Sequence, residues 1–344
     1  MISNADLAEL LADGAKGADG VMRQALKRAA RSAFLWPVEA ADLLAQGRSL
    51  TELHGVGPSL ARRISNWIEK PPPLPRVRDP LRRDFLTLAQ ARAVLARDSK
   101  WAARLRGDLQ MHTQWSDGSG TISEMAVAAG ERGYEYITIT DHTKGLSIAG
   151  GIDEAQLAEQ GREIARVNAA ASNGVTVLHS AELNLNPRGE GDMDPRALAQ
   201  LDVVLGSFHS ALRKKEDQTE RYLAAIRNRD LQILGHPRGR VYNYRLGLTA
   251  EWRRVFDEAA RLDKAVEIDS YPDRQDLNVA LLKIARQSGC RISIGTDAHH
   301  PPQLAFIELG LAAARLAKIP AERMVNFLPL SELKRWVATT RANN

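Results

Sequence analysis

The sequence predicts an α/β protein: a seven-stranded parallel (β/α) barrel over residues 107–340, preceded by a small all-α domain over residues 1–69. Three observations carry that prediction. From residue 107 onward short apolar runs alternate with helical runs, the first 69 residues show helical periodicity alone, and a stretch with five prolines, KPPPLPRVRDP at 70–80, stands between them. The chain has 344 residues, 44% of them hydrophobic, which is ample for two cores.

In chain order, the first domain reads as NADLAELLADGA, ADGVMRQALKRAARSAFLW, PVEAADLLAQG and SLTELHGVGPSLARRISNWIEK. Residues 70–106 are expected to connect the domains, as a stiff Pro-rich linker and one helix, TLAQARAVLARDSKWAARL. The strands that follow are GDLQMHT, YEYITITDH, VTVLHSAEL, DVVLGSFHS, LQILGHP, AVEIDSY and RISIGTDAHH. Between them lie helices such as ISEMAVAAGERG, QTERYLAAIRNRD and DLNVALLKIARQSG, two of which end at a Gly suited to closing a helix.

The net charge of +5 is unevenly placed: residues 1–107 hold 18 Lys and Arg against 11 Asp and Glu, the remainder 29 against 31. A basic first third fits a polyanionic partner or a solvated face. Cys290 is the single cysteine, so no disulfide forms within the chain and a reducing compartment is expected, with Cys290 a buried small hydrophobe. The polar, acidic start lacks the pattern of a signal peptide and no apolar run nears the roughly 18 residues of a membrane span, so a cytoplasmic protein with no membrane partner is expected.

The polar residues at the strand ends carry the chemistry. His112, His142, Glu182, His209, His236, Glu267 and the pair Asp297/His299 each end a strand, and in a parallel barrel all such ends open on one mouth. Five of the eight histidines sit there, joined by Asp117 in the loop after the first strand. So many imidazoles beside carboxylates call for cations, and a multinuclear centre of two or three divalent metals is the simplest account. Mixed His and carboxylate donors suit Mn2+, Zn2+ or Fe2+ better than Mg2+ or Ca2+. Alternation along the first strand sends Gln110 and His112 to one side, Leu109 and Met111 to the other. Glu267 reads as lying behind the ligands, and His179 and His300 as structural.

The segments DLQMHT with SDG, TDH at 140–142, AEL at 181–183, SFHS at 207–210, GHPRGR at 235–240 and GTDAHH at 295–300 resemble the successive motifs of the PHP (polymerase and histidinol phosphatase) phosphoesterase family. The resemblance implies a first metal on Gln110, His112, Glu182 and Asp297, and a second on Glu182, His209 and His236. A third would take Asp117, His142 and His299. Among these, His112, Glu182, His209 and Asp297 would be central to catalysis. The family pattern is HxH where this chain has QMH, so Gln110 brings a neutral, weakly basic oxygen and a weaker first site.

LTELHGVGPSLARRISNWI at 50–68 resembles a helix-hairpin-helix motif, with Gly55, Val56 and Gly57 as its turn. There backbone N–H groups at a helix N-terminus would meet a DNA phosphate, with Arg62 and Arg63 adding charge. An ordinary helical hairpin stays open. Together the two regions resemble the N-terminal helical domain and C-terminal PHP region of bacterial family X DNA polymerases, with a short linker in place of the palm and fingers, so no DNA synthesis is expected.

The expected function is a metal-dependent phosphodiesterase on DNA, a 3′–5′ exonuclease or 3′-end processing enzyme in DNA repair, with a separate polymerase or repair protein as a further partner. Arg213, Lys214, Arg238 and Arg240, which follow the fourth and fifth strands, are candidates to grip phosphate. Two alternatives stay open: a histidinol-phosphatase-like phosphomonoesterase, and a DNA-binding protein whose catalysis has weakened.

Overall fold

A computed structural model of the chain describes residues 2–74, 79–171 and 174–342, so residues 75–78 of the expected linker lie outside the described residues. The chain forms two compact units, Met1–Arg97 and Asp98–Asn344.

The first unit contains helices α1 (Asn4–Gly14), α2 (Gly20–Ser32), α3 (Ala40–Ala45), α4 (Pro58–Glu69) and α5 (Leu88–Ala96). Ser3 starts α1 by a reciprocal cap with Asp6, and Pro58 occupies the first turn of α4, where its missing N–H costs nothing. Leu7, Leu11, Leu26, Trp36, Leu43 and Ile64 are buried at the centre, and Trp36 Nε1 donates to the His54 carbonyl at 3.0 Å. The stretch SLTELHGVGPSLARRISNWIEK is not one helix. It makes a single 3-10 turn at Leu50–Glu52, and the chain then reverses through Gly55 at φ +77, a conformation that a side chain would strain.

The connection is shorter than the 70–106 expected. Arg82 Nε donates to both Glu9 carboxylate oxygens at 3.0 Å, and the Leu88 N–H donates to the Phe34 carbonyl at 2.8 Å, so this stretch packs with the first unit. The single helix expected over 87–105 is broken at Asp98, whose carboxylate caps a separate short helix, α6 (Ser99–Ala102).

The second unit carries seven parallel strands in sequential order: β1 (Gly107–Asp108), β2 (Tyr136–Ile139), β3 (Thr176–Asn184), β4 (Val203–Ser207), β5 (Ile233–Leu234), β6 (Ala265–Asp269) and β7 (Arg291–Gly295). Its remaining helices are α7 (Ile122–Glu131), α8 (Glu154–Ala170), α9 (Pro195–Leu198), α10 (Thr219–Arg227), α11 (Trp252–Arg261), α12 (Val279–Ser288), α13 (Ile307–Leu316) and α14 (Leu330–Ala342). Thr121 and Glu124 cap the start of α7, and Gly289 at φ +72 ends α12. Met111, Ile137, Ile139 and Val177 pack with Ile122 and Met125 of α7, while Leu109, Tyr136, Leu178 and Leu205 pack with Trp336 and Val337 of α14.

The first and last strands meet along a seam that closes the ring almost completely. The Leu109 N–H donates to the Ile294 carbonyl, Asp297 N–H to the Gln110 carbonyl and His112 N–H to the Ala298 carbonyl. Asn326 clips the lower end, accepting from the Ile294 N–H at 2.7 Å while its amide donates to the carbonyls of Gly107 at 2.9 Å and Ile294 at 2.8 Å. Higher up, the buried Asp108 carboxyl accepts from the Thr296 N–H and hydroxyl, and burial pushes it up to about 7. No helix among the described residues is long and apolar enough to cross a membrane.

Candidate metal centre

The seam and the strand alternation set the site. Leu109 and Met111 enter the apolar layers, which leaves Gln110 and His112, both fully buried, on the barrel side. Glu182 lies near the end of β3, and His142, His209, His236, Asp297 and His299 follow the ends of their strands. The candidate ligands thus come together across some 190 residues of chain.

Glu182 stands at the centre. Its Oε1 lies 2.6 Å from His236 Nε2 and 3.2 Å from His209 Nε2, and its Oε2 lies 3.1 Å from His142 Nδ1 and 3.4 Å from His112 Nε2. Asp297 Oδ1 is 3.0 Å from His112 Nε2, and Asp117 Oδ1 is 3.3 Å from His299 Nε2 and 3.6 Å from His142 Nε2. The His112 ring stacks between those of His142 and His299, at 4.4 and 4.6 Å.

Two sets of donor atoms lie within 4.8 Å of one another, His112/Asp117/His142/His299 and His142/Glu182/His209. The first set holds Asp117, His142 and His299, the third group that the motifs imply, together with His112; His142 also belongs to the second set, and His112 faces Asp117, Glu182 and Asp297. The donors fit divalent metals on physical grounds. His112 Nδ1 and Nε2, His142 Nδ1, His236 Nδ1 and Glu182 Oε2 are buried without a well-formed hydrogen bond, and cations would satisfy these lone pairs.

Neighbouring groups fix which ring nitrogen faces inward. His209 Nδ1 lies 3.1 Å from Asn184 Oδ1, and His299 Nδ1 lies 2.7 Å from the Asp297 carbonyl, so each Nδ1–H is held and each Nε2 is turned into the pocket, toward Glu182 and Asp117 respectively. Burial disfavours a charge on His142, yet Glu182 and Asp117 outweigh it and raise the imidazole to about 10; Asp117 and Asp297 likewise raise His299 to about 9. The Glu182 carboxylate is held well below its usual range although burial opposes this, because His142, His209 and His236 surround it. The pocket is thus built to hold positive charge.

Gln110 is fully buried and faces Glu267. With its amide oriented by its partners, its nitrogen donates to Glu267 Oε1 at 2.7 Å and Oε2 at 3.1 Å, which turns the carbonyl oxygen away from Glu267. Glu267 also accepts the His236 N–H at 2.7 Å, and burial with the nearby Glu182 and Asp297 raises its carboxyl well above the usual range. Gly295 makes this contact sterically feasible: a Cβ there would come within 2.4 Å of both Gln110 Cβ and Glu267 Oε1.

Arg274, in the loop after β6, was not singled out by the sequence. Its Nη2 lies 3.9 Å from Asp297 Oδ2 and its side chain is 32% exposed, which makes it a cation at the edge of the centre. Of the basic residues expected to grip phosphate, Arg213 and Lys214 are exposed. Arg238 donates to the Leu246 and Leu248 carbonyls, and the buried Arg240 donates to the Arg274 carbonyl. In the first unit Gly57 precedes α4, Val56 is buried and Arg62 and Arg63 are exposed. Cys290 is buried.

A family model described as the PHP domain matches residues 108–296. Among known proteins, the DNA polymerase/3′-5′ exonuclease PolX of Bacillus subtilis is 33% identical over 235 residues, which are 68% of this chain and 41% of that protein. This chain therefore spans less than half the length of that relative. A probable phosphatase of Photobacterium profundum is 31% identical over 215 residues, 60% of this chain and 82% of that protein. The solved histidinol phosphate phosphatase of Lactococcus lactis, complexed with zinc, L-histidinol and phosphate, is 17% identical with a TM-score of 0.46, over 61% of this chain and 93% of that one.

Proposed function

The chain belongs to the PHP domain family of metal-dependent phosphoesterases, and on that premise we propose that its substrate is DNA, cut by a 3′–5′ exonuclease or 3′-end processing activity that serves repair. The observation that carries a phosphate substrate is Arg274, a part-exposed guanidinium 3.9 Å from Asp297 at the edge of a pocket lined with imidazoles and carboxylates. A DNA substrate is supported by the first unit, where the Gly55–Gly57 turn leads into the N-terminus of α4 beside exposed Arg62 and Arg63. Backbone N–H groups there would hold a phosphate without reading sequence.

Gln110, His112, Asp117, His142, Glu182, His209, His236, Asp297 and His299 are the residues that would hold two or three divalent ions. When bound, such ions lower the pKa of water and neutralise charge on a phosphate. Glu182 joins the two halves of the pocket through its two oxygens, Asn184 and the Asp297 carbonyl hold the Nδ1 protons of His209 and His299, and Arg274 would take a non-bridging phosphate oxygen. Arg213 and Lys214 stand ready for further phosphates, with Arg238 and Arg240 bracing the loop beside them. The protein makes no DNA, works in the cytoplasm and hands its product to a separate polymerase or repair protein.

The protein with Mn2+ should shorten a 5′-labelled single-stranded oligonucleotide from its 3′ end, and chelator should abolish the reaction. Hydrolysis of histidinol phosphate alone would overturn the DNA reading in favour of a phosphomonoesterase, which the similarity to probable phosphatases supports. A DNA-binding protein with weakened catalysis, the reading that Gln110 favours, predicts oligonucleotide binding with neither hydrolysis. Arg274→Ala should lower kcat/KM for the oligonucleotide by about 10- to 100-fold while metal content stays at the parental level. An unchanged kcat/KM would remove Arg274 from phosphate binding.

A further inference from the structure

We infer that Tyr244 and Arg213 form a stacking platform for a base of a single nucleic-acid strand, with Arg245 and Arg274 leading the strand's phosphates from the platform to the metal centre. The inference deepens the proposed DNA reading and rests on it.

The platform is a small hairpin between β5 and α11. Val241 and Arg245 exchange backbone hydrogen bonds at 2.9 Å, the chain turns through Asn243 at φ +56, and Tyr244 at the tip is 61% exposed. An exposed ring of this size on a polar loop, with Leu246 also 53% exposed, is a solvent-facing apolar surface. Arg213, from the loop after β4, lies with its guanidinium 4.9 Å from the centre of that ring and donates to the Tyr244 hydroxyl. A flat aromatic face with a guanidinium over it is the chemistry that holds an unpaired base, because every base has a π-face and a neighbouring phosphate.

The hairpin is tied to the loop that carries Arg274 by a backbone bond and a side-chain bond. The Tyr242 N–H donates to the Asp273 carbonyl at 2.6 Å and Arg240 Nε to the Arg274 carbonyl at 2.8 Å, so the hairpin and the Arg274 loop are braced as one piece. Arg274 reaches Asp297, and Arg213 follows the ligand His209 by four residues. Arg245 donates to the Gly239 carbonyl, which holds its charge beside the hairpin. Burial and then the charges of Arg274 and Arg213 disfavour the Arg245 cation. A phosphate backbone would offset those like charges; an acidic peptide would as well, but has no base to lay on Tyr244.

The test uses the full chain with chelator present, so that binding is read without hydrolysis. Fluorescence anisotropy with a labelled single-stranded oligothymidylate should show Tyr244→Ala weakening binding about tenfold and Tyr244→Trp restoring it. Arg213→Ala should weaken binding and reduce its dependence on salt. Binding of a blunt duplex, whose bases are already stacked, should respond to Arg213→Ala far more than to Tyr244→Ala. Thermal unfolding of the variants confirms that each is folded. Parental affinity in both alanine variants, while the parent still cuts the oligonucleotide, would overturn the platform and leave the nuclease reading standing. A parent that neither binds nor cuts the oligonucleotide would overturn both. Displacement of the oligonucleotide by polyglutamate as readily as by unlabelled single strand would show a site for charge alone and overturn the stacking role.

Discussion

Glu182→Gln should strip the protein of at least one equivalent of divalent metal and lower phosphoester hydrolysis about a thousandfold. Glu182 is fully buried, and its two oxygens face four imidazoles, those of His209 and His236 on one side and His112 and His142 on the other. A glutamine there keeps the shape but removes the charge, and its NH2 group turns a donor toward one half of the pocket. The lost interaction is the charge that draws cations between the imidazoles, worth several kcal/mol, and about 1.4 kcal/mol corresponds to each tenfold of rate. Elemental analysis of the purified variant, with hydrolysis measured on the same sample, checks both halves of the expectation. Parental metal content together with a parental rate would remove Glu182 from the centre.

Gln110→His should tighten metal binding by about tenfold or more. Gln110 offers a neutral carbonyl oxygen, whereas an imidazole is a stronger donor to transition metals. The setting for a histidine is already present. Glu267 accepts the Gln110 amide and would accept an imidazole N–H in the same way, which orients the ring and raises its basicity. Gly295 supplies the space, since it lacks the Cβ that would strike both residues. Titration of the metal-free protein with Mn2+ reads the affinity directly. No change in affinity would mean that the Gln110 carbonyl already serves as well as a ring nitrogen.

The barrel was legible in the sequence because its strands are short apolar runs spaced by one βα unit, and the register of polar residues at their ends exposed the pocket. Period-two alternation placed Gln110 and His112 together, and the same rule applied to Glu182 would have reached Asn184, which sets His209. Arg274 left no periodic signal, because an irregular loop brings it to Asp297. The seam is legible only in three dimensions: Asn326 lies in a 3-10 turn, and nothing local marks it as the residue that bonds to Gly107 and Ile294. The separation of the ligands into three metal sets is likewise not a matter of sequence spacing, since His112 and His142 each face more than one carboxylate. In the first third, helical periodicity was clear and the Gly55–Gly57 turn was legible from its glycines, but the break at Asp98 was not, because a side-chain cap starts a new short helix inside an unbroken helical pattern.

The Asn326 clip also has a meaning for the order of events during synthesis. It joins residues 219 positions apart, so this part of the closure needs chain well past the last candidate ligand, His299. A chain that extends to His299 carries every candidate donor of the metal centre and the seam bonds of Leu109, Gln110 and His112, but not yet the Asn326 clip. Contacts of such long range form late, after the loop-closure entropy has been overcome. The last stretch of the barrel unit therefore adds a late bond to a seam that the ends of the first and seventh strands already begin to close.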